Sequence, residues 1–233
     1  MAGNYENLME MNNMTQERII SLSKGTPKTR TVNGNLFQSA IWKEETDLLQ
    51  VRFDGILGDQ VANRKFHGGP DRVVCLYPFE HYAHWQRELG IEPSVSAFGE
   101  NICAAGMRED QVCIGDVFQI GDAVLQVSQG RYPCATINIR NQHGQLLNKI
   151  IETGYTGYFF RVLEEGDITP DAKIKKISAH PLRVTVAAVH HLYFHEKTPR
   201  AERIRELLAM DELAEPWRQK LRKKLEQQEK GSE

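Results

Sequence analysis

The segment Gly130-Arg131-Tyr132-Pro133-Cys134 carries the most distinctive chemistry in the chain. It follows the apolar run AVLQVS, so the Cys134 thiol falls at a strand end, behind a proline that stiffens its approach. Arg131, close by in sequence, favours the thiolate. A thiolate placed this way suits a soft or high-valent metal centre, a persulfide or a redox step. Cys75, Cys103 and Cys113 differ: they sit in VVCLY, NICAA and QVCIG, between apolar neighbours, and read as buried structural thiols.

Other polar clusters are flanked by glycine. Gly58-Asp59 precedes the run Arg64-Lys65-Phe66-His67-Gly68-Gly69-Pro70-Asp71-Arg72. Paired glycines let backbone approach a ligand closely, and Arg64, Lys65 and Arg72 are cations that can meet an anion. Gly-Pro-Asp is also ordinary turn chemistry, so the run taken alone reads as a tight turn with solvated charges. Phe98-Gly99-Glu100-Asn101 leads into apolar Ile102 and reads either as a polar ligand contact or as a loop that starts a strand. His191 and His195 are four residues apart on an expected helix, with His190 beside them. No third ligand is near in sequence, which favours packed or solvated histidines over a metal site. The basic run Arg218–Lys224 reads as a solvated helix face, because residues 183–233 nearly balance in charge.

These residues need elements to hold them, and composition bounds what the elements are. The chain has 233 residues, 40% hydrophobic and 26% charged, which is the range of soluble globular domains. That length suits one full domain and a small appendage. The formal net charge of -2 gives no overall field for nucleic acid or an anionic membrane. No run approaches the roughly 20 apolar residues of a membrane-spanning helix. The first residues lack the basic start and apolar core of a secretory signal, and the cysteines form no C-x-x-C pair. A reduced, cytoplasmic protein is expected. There is no G-x-G-x-x-G after a strand, no P-loop, no G-x-S-x-G and no H-E-x-x-H.

Short β-branched and aromatic runs bounded by turn residues predict strands at 18–23, 36–41, 48–53, 73–77, 117–120, 123–128, 158–163 and 173–177. Gly121-Asp122 predicts a hairpin turn. Residues 79–89 carry Phe79, Tyr82, Trp85 and Leu89 at helical spacing, with Gly90 as the cap. After Pro181 the pattern turns helical, with Pro199 and Pro216 suited to first turns. Stripes of Ile204, Leu207, Leu208 and of Leu213, Trp217, Leu221, Leu225 face one way. The expected fold is mainly β, an all-β barrel with a few helices and a small three-helix C-terminal segment. The expected division is a lead-in over 1–17, a barrel over 18–180 and the helical segment over 184–230.

Taken in order, the clusters resemble the MOSC domain, named for the C-terminal part of molybdenum cofactor sulfurases. The resemblance rests on IWK (41–43), GDQ (58–60), KFHGGPDR (65–72), FGENI (98–102), IGDVFQIGDAVLQVSQ (114–129), RYPC (131–134) and TGYFFRVLEEG (156–166), with a tail like that of the bacterial YiiM-like branch. It covers most of residues 30–178, and departs at Pro170-Asp171, where many relatives have Gly-Asp.

The resemblance implies a MOSC-type β-barrel pocket for the molybdenum cofactor in its molybdopterin form, with Cys134 as metal ligand or sulfur carrier. Some relatives reduce N-hydroxylated compounds, hydroxylamino-purines among them, to amines. On that basis Cys134 and His67 are the expected catalytic residues, His67 orienting a ligand or relaying a proton. Arg131 is the foremost expected phosphate contact, followed by Arg30, Lys43 and Arg72, with the Gly68 and Gly69 amides. Glu100 and Asn101 are expected at the pterin edge. The partners implied are a small N-hydroxylated substrate and a separate flavin or iron–sulfur electron donor, because the chain carries no dinucleotide, haem or iron–sulfur signature. No nucleic acid or membrane is expected. A carrier of a Cys134 persulfide and a cofactor-binding module without turnover stay open. The helical tail is expected to be dispensable for the chemistry, since every chemical cluster ends by Cys134.

Overall fold

The computed structural model describes residues 16–62, 68–92 and 94–230. The strands are β1 (Arg18–Lys24), β2 (Lys28–Val32), β3 (Asn35–Ser39), β4 (Glu44–Glu45), β5 (Leu49–Arg52), β6 (Gly55–Ile56) and β7 (Val74–Pro78). They continue with β8 (Ile102–Ala105), β9 (Val117–Ile120), β10 (Ala123–Gly130), β11 (Tyr158–Glu164), β12 (Gly166–Ile168) and β13 (Ile174–Ser178). The α-helices are α1 (Glu80–Leu89), α2 (Thr136–Asn141), α3 (Leu146–Thr153), α4 (Val186–Phe194), α5 (Ala201–Leu208) and α6 (Glu215–Lys230).

Eight strands form one sheet in the order β13-β9-β10-β11-β7-β8-β1-β4. The edges β13 and β4 are not neighbours in that order, so the sheet curls as a half-barrel instead of closing. A three-stranded sheet, β12-β5-β6, packs against β1, β10 and β11, and β2 pairs with β3 alone. The predicted hairpin is present: Ile120 pairs with Ala123, and Gly121 takes φ 60°, which a two-residue turn of this kind requires. β7 and β8 run parallel, joined through α1, so one βαβ unit sits inside an otherwise antiparallel sheet. The Gly90 cap of α1 has φ 64° and donates its N–H to Gln86 O.

Residues 136–153, where the residue pattern predicts no element, hold α2 and α3. Each buries only one or two side chains, Ile137 from α2 and Leu146 and Ile150 from α3. So narrow a stripe over six or eight residues gives little periodic signal. Pro216 stands in the first turn of α6 as expected. Pro199 instead lies outside α5, one residue before its N-cap Arg200.

The apolar interior has two parts. The first joins Leu22, Leu49, Phe118 and Phe160 of the sheets to Val189, Leu207, Leu213, Trp217 and Leu221 of the tail. The second lies under α1 and gathers Trp42, Tyr77, Tyr82, Trp85, Phe98, Ile137 and Ile150. Because the first part is shared, the tail helices complete the barrel's own core.

Candidate functional site

β10 ends at Gly130, and the chain leaves the sheet through Arg131, Tyr132, Pro133 and Cys134 before α2 begins. The exit is fixed by backbone bonds: Arg131 N–H donates to Gly157 O (3.0 Å), and Ile137 N–H donates to Cys134 O (3.2 Å). Pro133 is buried and Cys134 half-buried. The other three thiols are buried, and burial raises the pKa of Cys75, Cys103 and Cys113 above the ordinary thiol value. Cys134 is therefore the most exposed of the four thiols.

Arg131 reaches from this exit to the loop before β8, where its guanidinium donates to Phe98 O. Gly99 adopts φ +75°, and a Cβ there would stand 2.9 Å from Ile41 Cγ1 and 3.7 Å from Arg131 Nη2. The missing side chain lets the loop, Ile41 and Arg131 meet. Three segments far apart in sequence thus converge: IWK, FGEN and RYPC. Arg30, on β2, lays its guanidinium 5.2 Å from the Trp42 ring centroid.

Lys43 is turned to a different purpose. Its Nζ lies 2.5 and 2.6 Å from the two Asp59 oxygens, and the pair is nearly dry, with side chains 9% and 11% exposed. Asp59 also accepts the Gly25 N–H (2.8 Å). Burial, and then the charges of Arg131, Glu100, Lys43 and Asp59, act on the Cys75 thiol.

Glu100 and Asn101, expected to touch a ligand, are committed to the protein. Glu100 is buried and accepts from Tyr82 Oη and from Phe98 N–H (3.1 Å). Burial raises its pKa above the usual carboxylate value. Asn101 stitches β7 to β1: Oδ1 accepts Cys75 N–H (3.1 Å) and Nδ2 donates to Ser23 O (3.2 Å). Both residues position the loop that Arg131 grips. Arg140 on α2, to which the sequence motifs give no role, holds the same loop through Val95 O (3.1 Å) and Ser94 Oγ (3.3 Å). Its only advance signal is its place six residues after Cys134.

The other candidates lie in or beside the glycine pair. Gly69 takes φ 96° and ψ 165°, a region open only to glycine, and a Cβ there would meet nothing within 4 Å. Gly68 (φ +81°) backs onto Val61, and a Cβ there would stand 3.3 Å from it. Arg72 ends the short 3-10 turn that follows, and burial lowers its pKa. That turn is anchored through Asp71, whose carbonyl accepts from Ser128 Oγ (2.5 Å) and whose carboxylate holds Arg161 (2.8 Å). Arg64, Lys65 and His67 lie outside the described residues.

Comparison with known proteins agrees with this layout. Residues 63–175 match the MOSC domain, and residues 184–228 match the YiiM-like, 3-alpha helix domain. The Bacillus subtilis (strain 168) protein YflK is 37% identical over 214 residues, 91% of this chain and 96% of that one. The chain belongs to the MOSC family. The solved structure of YiiM from Geobacillus stearothermophilus is similar at TM-score 0.76 and 32% identity, covering 90% of this chain and 99% of that one. A protein named Reductase from Gibberella moniliformis (strain M3125 / FGSC 7600) is 37% identical over 155 residues, 64% of this chain but only 27% of its own length.

In this MOSC protein the tail closes on the cysteine segment. Trp217 Nε1 donates to Gly130 O (2.7 Å), and the Tyr132 ring lies 5.3 Å from Phe194 and 6.3 Å from Trp217. The tail packs on the barrel, as expected, and its contacts extend to the motif itself. Among the described residues the histidine pair forms no metal site. α4 stops at Phe194, His195 Nε2 bonds Ile151 O (3.0 Å) and His191 Nδ1 meets Glu196 (3.3 Å). A separate cleft of about 420 Å³ opens beside α1, with the buried His81–Glu109 pair (2.6 Å) in its wall. None of the cysteine-site residues lines it.

Proposed function

We propose that this MOSC protein reduces N-hydroxylated compounds to amines at a molybdenum cofactor to which Cys134 gives a protein ligand. The observation that carries this reading is the single accessible thiol, three residues beyond Arg131, on a segment whose guanidinium meets the FGEN loop beside IWK. Among the described residues no group of three or more His, Cys, Asp or Glu side chains can hold a metal by itself. A metal at Cys134 must bring most of its ligands with it, as a pterin dithiolene does. Bound there, the cofactor supplies a centre that exchanges an oxygen with substrate while changing oxidation state by two.

The chain's own groups divide the remaining work. Cys134 fixes the centre at the strand end, and Arg131 and Arg30 offer positive charge for a cofactor phosphate. Lys43 is spent on Asp59, so its part is to hold the segment that carries Trp42, over which Arg30 lies. Glu100 and Asn101 keep the loop under Arg131 rigid. His67 is the assigned proton relay. The balance is R–NHOH + 2e⁻ + 2H⁺ → R–NH₂ + H₂O: the N–O bond breaks, one proton goes to nitrogen and one leaves in water. The two electrons come from a separate donor protein. The reductase-named relative, much longer than its matched part, is in keeping with redox chemistry for this kind of domain.

The test is expression in a host that makes the cofactor. Purified protein should carry molybdenum and pterin near one per chain, and should convert 6-hydroxylaminopurine to adenine with reduced methyl viologen. Cys134→Ser should abolish turnover. Full turnover in that variant overturns the reading. Sulfane sulfur on Cys134 with no pterin would mark the protein as a sulfur carrier instead.

A further inference from the structure

The charges of α6 are not uniformly neutralised. Arg218 and Arg222 both face Glu215, at 3.7 and 2.7 Å, and Lys224 Nζ donates to Tyr193 O (2.8 Å). Among the described residues Lys220 and Lys223 have no carboxylate partner. Lys220 lies instead with Nζ 3.8 Å from the centroid of the Tyr132 ring. Lys220 and Lys223 stand three residues apart on α6, so their side chains lie on one face of the helix. Tyr132 is 44% exposed and precedes Cys134 by two residues, a span of at most about 7 Å along the chain. The helix face that composition describes as evenly solvated thus carries a local positive spot beside the accessible thiol.

Resting on the reductase reading above, we propose that Lys220, Lys223 and the exposed edge of Tyr132 form the docking surface for an acidic electron-carrier protein. A donor that gives its electrons one at a time must bind and leave twice per turnover. Such encounters use small contacts, below about 1,200 Å², and are steered by charge. A positive spot on a molecule of net charge -2 orients an acidic partner where a uniformly basic surface would not. Tyr132 bridges that spot to Cys134, so a carrier docked here presents its redox group close to the reacting centre.

The experiment uses an acidic flavodoxin as the probe, with full-length protein loaded with cofactor. Binding at low ionic strength is measured by calorimetry for the wild type, the Lys220→Glu/Lys223→Glu variant and Lys173→Glu/Lys175→Glu, two exposed lysines at β13, as a charge-matched control. Turnover is measured with reduced flavodoxin and, separately, with reduced methyl viologen. The double variant should weaken flavodoxin binding about tenfold and raise its KM to match, and its salt dependence should flatten. Its viologen-driven rate should stay at the wild-type level, and Lys173→Glu/Lys175→Glu should change neither quantity. Absence of flavodoxin binding by the wild type, or equal binding by the double variant, overturns the docking surface. So does a loss with viologen as large as that with flavodoxin. If the wild type lacks viologen turnover, the reductase reading fails, while the binding comparison still decides the surface.

Discussion

The Arg131–Cys134 segment is held from two sides by different kinds of contact. On the inner side the 94–101 loop takes the Arg131 guanidinium at Phe98 O, and that loop is pinned by buried polar groups, Glu100 to Tyr82 and Asn101 to Cys75 and Ser23. On the outer side the tail presents Trp217, Phe194 and Lys220 to a Tyr132 ring that stays 44% exposed. Directional bonds in a dry setting fix one geometry and punish any change. Aromatic contact at a wet edge tolerates small shifts and costs less to disturb. The inner side therefore sets where the thiol stands, and the outer side sets what can approach it.

The largest effect separates chemistry from support. Cys134→Ser should lower N-hydroxy reduction to background while the melting temperature stays nearly unchanged, because a half-exposed thiol contributes little packing. Melting by circular dichroism alongside turnover checks this. A large fall in stability would mean that Cys134 belongs to the support and not to the chemistry.

Lys43→Ala probes the inner side next. It strands the Asp59 carboxylate, 11% exposed, with only the Gly25 N–H for company. Removing one partner of a buried pair costs about 3–5 kcal/mol. Arg222→Ala, which breaks an exposed pair with Glu215, should cost far less. Urea denaturation of both variants tests the contrast, and equal losses would remove the distinction between the two sides.

Gly99→Ala should fall between these, at about 2–3 kcal/mol, since it adds a methyl 2.9 Å from Ile41 at φ +75°. It should also weaken cofactor retention, because the carbonyl that Arg131 holds belongs to the neighbouring residue. On the outer side Trp217→Phe removes the bond to Gly130 O and leaves a small void where the buried indole stood, costing about 2 kcal/mol. If Trp217→Phe releases the cofactor and Gly99→Ala does not, the assignment of the two sides is reversed.

Local chemistry made part of this legible beforehand. Gly121-Asp122 announces its hairpin, and the apolar run of β10 announces a strand that delivers Cys134. Gly90 announces the end of α1. The Asn33-Gly34 turn, with φ 49° and 79°, carried an equally local signal for the β2–β3 hairpin, though only the second strand was expected. What stayed hidden depends on pairing across distance. Lys43 looks like a free cation until Asp59 is found beside it, and Asn101 looks like a ligand contact until its amide is seen to join β7 to β1. Nothing in RYPC points to Trp217, because the bond between them spans 87 residues.

The last test concerns pH, and it asks whether the tail's junction with the barrel is tuned separately from the site. His190 of α4 is 3% exposed, and its Nε2 has no partner among the described residues. Burial pushes its pKa down to about 4, helped by the neighbouring His195 and His191 and opposed by Glu109. An unfolded chain binds this proton near pH 6.5 and the folded one only near 4. Between those values the unfolded state holds more protons, so stability falls as pH drops from 6.5 toward 4 and levels off below. His190→Gln removes this titration, so the gap between wild type and variant should close as pH falls through that window. Urea midpoints taken from neutral pH down to about pH 4 read the difference directly. A gap that keeps the same size throughout would show that His190 is as easily protonated in the fold as in water.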